Sequence, residues 1–291
     1  MVAFVTADEA TDDGTRKRVP KGTAFFVGVP VDGEAQLVYV VTARHVIEEA
    51  RAAGWASLRV NGTDGGFEDI PMECFEWISS SRADVAVAKW PFPPSVWDIA
   101  VFPVRFLLTQ EEIARREIGP GDDLFFVSLF TQHPGRARAE PIVRFGNIAL
   151  MPGEPIRMLQ PGGGIAKFVA YLAEARSWGG SSGSPCFVYF PAHRFGSVWI
   201  PVIDEPGPMT DEKFAEATNP RLLGLVQGHF NIDQDVSFAH DSASHLVKMN
   251  AGVAVVAPAV DIIEVLMDES FEEERRVAAE AIKKDRQPGA N

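Results

Sequence analysis

Trp178-Gly-Gly-Ser-Ser-Gly-Ser-Pro185 lies between two apolar, strand-like segments, residues 168–172 and 186–190. Small residues on both sides of a serine let the backbone turn tightly and aim its amide N–H groups inward. Such donors are what the developing oxyanion of an acyl transfer needs, and each is worth roughly 100- to 1000-fold in rate. A flexible Gly/Ser linker has the same composition. The apolar flanks argue against a linker and for a turn mounted on β structure.

Outward from this turn the chain is a succession of short strand patterns punctuated by Gly and Pro. Towards the C-terminus, strands are expected at 222–227 and 251–256, with a polar surface insert at 204–221. Upstream they are expected at 123–130, 141–145, 57–60, 71–78 and 84–90, and a hairpin joins 23–29 to 37–42 through Pro30-Val-Asp-Gly33. Two short helices fit, one over 45–53 ended by Gly54, the other over 109–116 with Thr109 as N-cap and Glu112 three residues on. A longer helix is expected over 261–284. Many short strands without strand–helix alternation point to an all-β barrel architecture. Gly119-Pro-Gly121 is the best lobe boundary. The expected organisation is a loose lead-in over 1–19, a first lobe over 20–120, a second over 121–258, and a C-terminal helix and tail over 259–291.

Composition narrows the function classes. With 46% apolar and 23% charged residues the chain is an ordinary globular one. Its net charge of −13 repels phosphate backbones, so nucleic acid is not an expected partner. No run of about 18 apolar residues predicts a membrane span, and the N-terminus lacks the pattern of a secretory signal, so the expected location is the cytoplasm. Cys74 and Cys186 are too few for a disulfide framework. The histidines form no close Cys/His ligand set, and neither a metal nor a cofactor is expected.

Two further fragments carry chemistry. In Thr42-Ala-Arg-His45-Val a histidine ends an apolar strand just as a helix begins, the rigid mount a general base requires. In Arg82-Ala-Asp84-Val-Ala-Val-Ala-Lys89 an acid stands directly before an alternating apolar strand. Taken singly, each fits equally a partly buried histidine and a turn aspartate. Together with Gly180-Ser-Ser182-Gly-Ser-Pro185, in this order, they resemble the trypsin-like serine peptidases of the chymotrypsin fold. In that family Thr-Ala-x-His, Asp-Val/Ile-Ala and Gly-x-Ser-Gly-Gly/Ser-Pro blocks follow one another. Leu223-Gly-Leu-Val-Gln227-Gly-His229 is similar to the family strand that pairs with substrate, and Asn250-Ala-Gly-Val-Ala-Val-Val-Ala-Pro258 to the closing strand of bacterial HtrA-type domains. With the few residues that follow Pro258, a PDZ-like module is not expected.

The resemblance spans about residues 20 to 267 and implies two antiparallel six-stranded β-barrels with a C-terminal helix. It implies a serine endopeptidase acting on polypeptides, with Ser182 as nucleophile, His45 as base, Asp84 orienting the ring, and the Gly180 and Ser182 amides as oxyanion hole. Arg176, Gln227, Gly228 and His229 fall where that family sets specificity, and the cations among them suit an acidic side chain. Ser181 replaces the acid that buries a new N-terminus in many secreted members, and Val46 the cysteine beside the histidine, so neither zymogen activation nor that disulfide is expected. The family's range admits a single protein target in a stress or defence pathway. Two alternatives are a catalytically silent binding module on the same fold and an α/β-hydrolase-type esterase. The latter would use Gly179-Gly-Ser181-Ser-Gly183 with Asp233 or Asp235 and His240 or His245.

Overall fold

A computed structural model describes residues 2–11, 13–131, 133–159, 164–176, 179–190, 219–237 and 244–286. The first lobe is one sheet. Strands β1 (Val2–Ala10), β2 (Arg16–Asp32) and β3 (Ala35–Thr42) form an antiparallel meander, and α1 (Arg44–Ala52) follows β3 at once. Then come β4 (Ala56–Asn61), β5 (Phe67–Pro71), β6 (Trp77–Ser79), β7 (Ala86–Lys89) and β8 (Val101–Pro103). Their order is β5-β4-β1-β2-β3-β7-β6, with β8 parallel to β2. The second lobe follows α2 (Gln110–Arg115), where the Thr109 hydroxyl accepts from the Glu112 amide at 3.2 Å as the capping pattern predicts. It comprises β9 (Asp123–Ser128), β10 (Ile142–Leu150), β11 (Ile156–Leu159), β12 (Ile165–Phe168), β13 (Tyr171–Glu174), β14 (Pro185–Val188), β15 (Arg221–Ser237) and β16 (Ser244–Pro258). Six of these close a barrel in the order β10-β13-β16-β15-β14-β9, while β11 and β12 form a separate ribbon. The chain ends in α3 (Ala259–Leu266) and α4 (Glu269–Asp285).

Four expectations are corrected. The all-β class holds, but only the second lobe is a closed six-stranded barrel. In the first, the outer strands β5 and β6 do not pair with each other. The chain passes between them through Pro71, which has no N–H for a ladder, and a 3-10 turn at Met72–Cys74. Aromatic packing seals this region, with Trp90 5.2 Å from Phe26, 5.9 Å from Phe75 and 5.6 Å from Trp97 between ring centroids. Residues 2–10, expected as a loose lead-in, are a central strand whose Ala3, Phe4 and Val5 are buried. The single C-terminal helix is two, because Asp268 starts a new one by accepting from the Ser270 amide at 3.0 Å. The expected strands at 71–78 and 168–172 are each interrupted, the first by the 3-10 turn, the second between β12 and β13. Most of the expected insert at 204–221 lies outside the described residues.

Two apolar cores result. One fills the barrel and includes Phe126, Tyr171, Cys186, Val226 and Val256. The other runs from the first sheet across the seam to Val127, Leu129, Phe187 and Leu225 of the second lobe. Ile262 and Leu266 of α3 and Phe271 of α4 join this second core, Phe271 meeting Tyr39 at 5.0 Å. The seam between the lobes is thus continuous packed interior, rigid enough to hold groups contributed from both sides.

Candidate active site

β3 and β7 are adjacent and antiparallel, with Thr42 opposite Ala86. The residues just beyond these strand ends therefore converge. Ala43 keeps an extended conformation (φ −74°, ψ 139°) as N-cap of α1, and His45 sits in the first helical turn. On the other side, the Ser80 hydroxyl accepts from the Arg82 and Ala83 amides at 3.2 and 3.1 Å, while the Arg44 guanidinium donates to the Ser80 carbonyl at 2.9 Å. This turn delivers Asp84, only 4% exposed, to the start of α1. One carboxylate oxygen of Asp84 accepts from the His45 backbone N–H at 2.9 Å, and the other lies 2.5 Å from His45 Nδ1. An ionised carboxylate only accepts, so Nδ1 carries the proton and Nε2 is left as the free basic nitrogen.

Electrostatics favour a strong base. Burial is the largest single influence on His45 and pulls its pKa down, but the hydrogen bond and charge of Asp84, aided by Glu49 and Glu48, outweigh it and raise the pKa above 6.5. A base must be neutral to act. Ser182-dependent turnover is therefore expected to rise with pH along an acid limb centred above 6.5, which a kcat/KM profile measures. A limb centred below that value would contradict the pairing.

The serine turn is clamped to the first lobe by Thr23 of β2, which is fully buried. Its N–H donates to the Ser182 carbonyl at 2.8 Å, its hydroxyl to the Gly180 carbonyl at 2.9 Å, and that hydroxyl accepts from the Leu129 amide at 3.0 Å. The Thr42 hydroxyl in turn donates to the Thr23 carbonyl at 2.7 Å. Gly180 and Gly183 occupy positive φ, 92° and 83°, which suits glycine and makes the turn tight. A side chain on Gly22 would meet both Val46, next to His45, and the Ser182 carbonyl within 3 Å, so the histidine and serine segments meet across β2. Among the described residues the Gly180 and Ser182 amides have no backbone acceptor, as an oxyanion site requires. Ser182 Oγ donates to the Gln227 carbonyl at 3.3 Å, and no hydrogen bond links it to the His45 ring.

Of the serines in the turn, Ser181 is 1% exposed and Ser184 fully buried, while Ser182 is partly open to solvent. Burial removes Ser181 as an accessible nucleophile. Its proposed partners Asp233, Asp235 and His245 lie on the distal β15–β16 hairpin, beyond Gln227, and His240 lies outside the described residues. Gln227 is a bulge residue, since Val226 faces Val256 and Gly228 faces Val255. The extra residue aims its carbonyl at Ser182. His229 is half-buried opposite Ala254, and Arg176 is exposed beyond β13. Sequence reading missed Thr23 as the clamp, because a threonine opening an apolar strand has no distinctive signal. Among the described residues no cluster of His, Cys, Asp or Glu could hold a metal, and no helix is long and apolar enough to cross a membrane. Both cysteines are free, and burial pushes the Cys186 thiol pKa up, as for an inert packing residue.

No protein-family profile and no curated protein matches the chain. Similar solved structures are trypsin-like serine proteases and kin. The active form of the Rv3671c protease of M. tuberculosis is 17% identical with a TM-score of 0.44, over 91% of this chain and 78% of that one. The thermostable serine protease AL20 from an extremophilic microorganism is 12% identical with a TM-score of 0.42, over 91% and 94%. A mutant of human heparin binding protein is 8% identical with a TM-score of 0.42, over 92% and 91%. At such identities and scores, function has to be argued from the site.

Proposed function

We propose that the chain is a serine endopeptidase. Ser182 Oγ attacks the scissile carbonyl as His45 Nε2 takes its proton, and His45 returns that proton to the leaving amine. Water then repeats the sequence on the acyl-enzyme and releases the acid. Asp84 stays ionised, holding the ring in its tautomer and stabilising the imidazolium. The Gly180 and Ser182 amides receive the oxyanion, and substrate backbone pairs along Gln227–Gly228 as an added strand. The observation that carries this reading is the double hold of Asp84 on the backbone and ring of His45, at the seam where Ser182 is clamped.

Attack requires Ser182 Oγ to leave the Gln227 carbonyl, and a substrate amide pairing with that carbonyl frees it. The same 3.3 Å bond favours the second reading, a binding module whose nucleophile stays parked. A fluorophosphonate probe separates the two. Covalent labelling of the folded protein that disappears in Ser182→Ala and persists in Ser181→Ala is the expected result. Pure folded protein that never labels supports the module.

A further inference from the structure

A cavity of about 690 Å³ opens on the barrel, lined by Arg144, Phe145, Glu174, Arg176, Gly252 and Val253 among others. Its place follows from the register. The Ala175 amide donates to the Gly252 carbonyl at 2.9 Å, and Glu174 pairs with Val253. A short step along β16, Val255 faces Gly228, the residue after the carbonyl that holds Ser182 Oγ. In the sequence Arg176 precedes Gly179 of the serine turn by three residues. On the third side, a Cβ on Gly146 would come within 2.3 Å of the Glu174 carbonyl, so β10 presses against this segment and brings Arg144 with it. Arg144 faces Phe126 across the ladder, on the barrel-interior side of β10.

The charge pattern is unusual for this molecule. Its surface is strongly acidic, and arginines such as Arg18, Arg59, Arg116 and Arg276 are held by carboxylates. Arg144 is not. Its Nε is buried without a hydrogen-bond partner, and burial alone acts on its pKa, in the downward direction. Arg176 has no ion pair among the described residues. Arg144, Arg176 and Glu174 are the ionisable groups among its described lining residues, so the cavity is net cationic. A partly desolvated, unpaired cation is costly unless an anion arrives from outside, and a guanidinium fork matches a carboxylate in two-point geometry. Ala175, Ala251 and Val253 add apolar lining for methylene groups.

We propose that Arg144 and Arg176 make this cavity a pocket for an acidic side chain, so that the substrates are peptides with Glu or Asp at the residue whose carbonyl is attacked. The substrate class rests on the peptidase reading above; the binding of the acid does not. Two peptides differing only in Glu against Gln at that residue test both. Wild type is expected to cleave the Glu peptide roughly 10- to 100-fold faster in kcat/KM, the size of a charge-assisted hydrogen bond. Ser182→Ala should bind it tighter by a similar factor. Arg144→Met and Arg176→Gln should each pull both ratios towards one. Because Arg144 is partly buried, Arg176→Gln, at an exposed site, carries the test if the first variant does not fold. Equal binding of the two peptides, or ratios that neither substitution moves, overturns the pocket whatever becomes of catalysis. Absence of any Ser182-dependent cleavage, with selective binding of the Glu peptide intact, overturns the peptidase reading and leaves an acidic-peptide site.

Discussion

Replacing Asp84 with Asn is expected to lower kcat for peptide hydrolysis by about 10,000-fold while leaving the protein folded. The reason is a count of acceptors. Asp84 accepts from both the backbone and the ring of His45. An amide has one oxygen, so one of these bonds must be lost. If the oxygen keeps the backbone N–H, the NH₂ faces Nδ1 and selects the tautomer with hydrogen on Nε2, which cannot take a proton from Ser182. The pH profile should move as well. The Asp84 hydrogen bond and charge are what lift the His45 pKa, and the opposing effect of burial remains in the variant, so the acid limb of residual activity should shift to lower pH. Stability shifts with the opposite sense. A histidine whose pKa is raised in the folded state stabilises the fold fully below about 6.5, and that contribution is lost as pH rises through the folded value. Asp84→Asn should therefore cost more stability at pH 5 than at pH 9, measurable by denaturant unfolding. A loss of kcat smaller than about tenfold would remove Asp84 from the orienting role.

The contact between His45 and Asp84 was legible only through the family resemblance: each residue adjoins the end of an apolar strand, but it is the match of the three blocks to a known order, not the local pattern, that implies which strand ends meet. The N-terminal strand was not. Asp8, Glu9, Arg16, Lys17 and Arg18 give that region the composition of a solvated tail, yet these charges answer one another across the hairpin. Asp8 faces Arg18 and Glu9 faces Lys17, with Asp8 and Arg18 hydrogen-bonded and Glu9 ion-paired to Lys21. Opposite charges on paired strands look the same as a loop when the pairing is unknown. Closure of the first lobe was hidden for a related reason. Whether outer strands meet depends on the path between them, here Pro71 and a 3-10 turn, which local pattern does not reveal. Arg144 escaped notice because an arginine alternating with Val143 and Phe145 reads as the polar face of a strand. Only the register with Phe126 turns it towards the barrel.

The glycine after Ser182 gives the second large effect. Gly183 has φ +83°, and a Cβ there would stand 2.0 Å from the Thr23 carbonyl oxygen and 2.3 Å from the Thr42 hydroxyl. Neither can retreat cheaply. The Thr23 carbonyl is held by Thr42, and the Thr23 N–H and hydroxyl are committed to the Ser182 and Gly180 carbonyls. Gly183→Ala must then either strain its own backbone or detach the turn from β2. Left-handed backbone in a non-glycine residue and overpacking each cost about 1–3 kcal/mol, so destabilisation on the order of 3 kcal/mol is expected. The rate should fall further than stability alone explains, because a detached turn no longer aims the Gly180 and Ser182 amides, and losing one such donor is worth roughly 100- to 1000-fold. Gly179 supplies the control. It belongs to the same turn, yet no described residue lies within 4 Å of a Cβ placed there, so Gly179→Ala should stay within about 0.5 kcal/mol of wild type. Thermal unfolding and kcat measured side by side decide the matter. If Gly183→Ala melts and turns over like Gly179→Ala, the turn is not clamped against Thr23. If it alone loses both, the two lobes jointly set the geometry of the nucleophile, and the strand that precedes His45 by a hairpin is as much a part of the site as the serine turn itself.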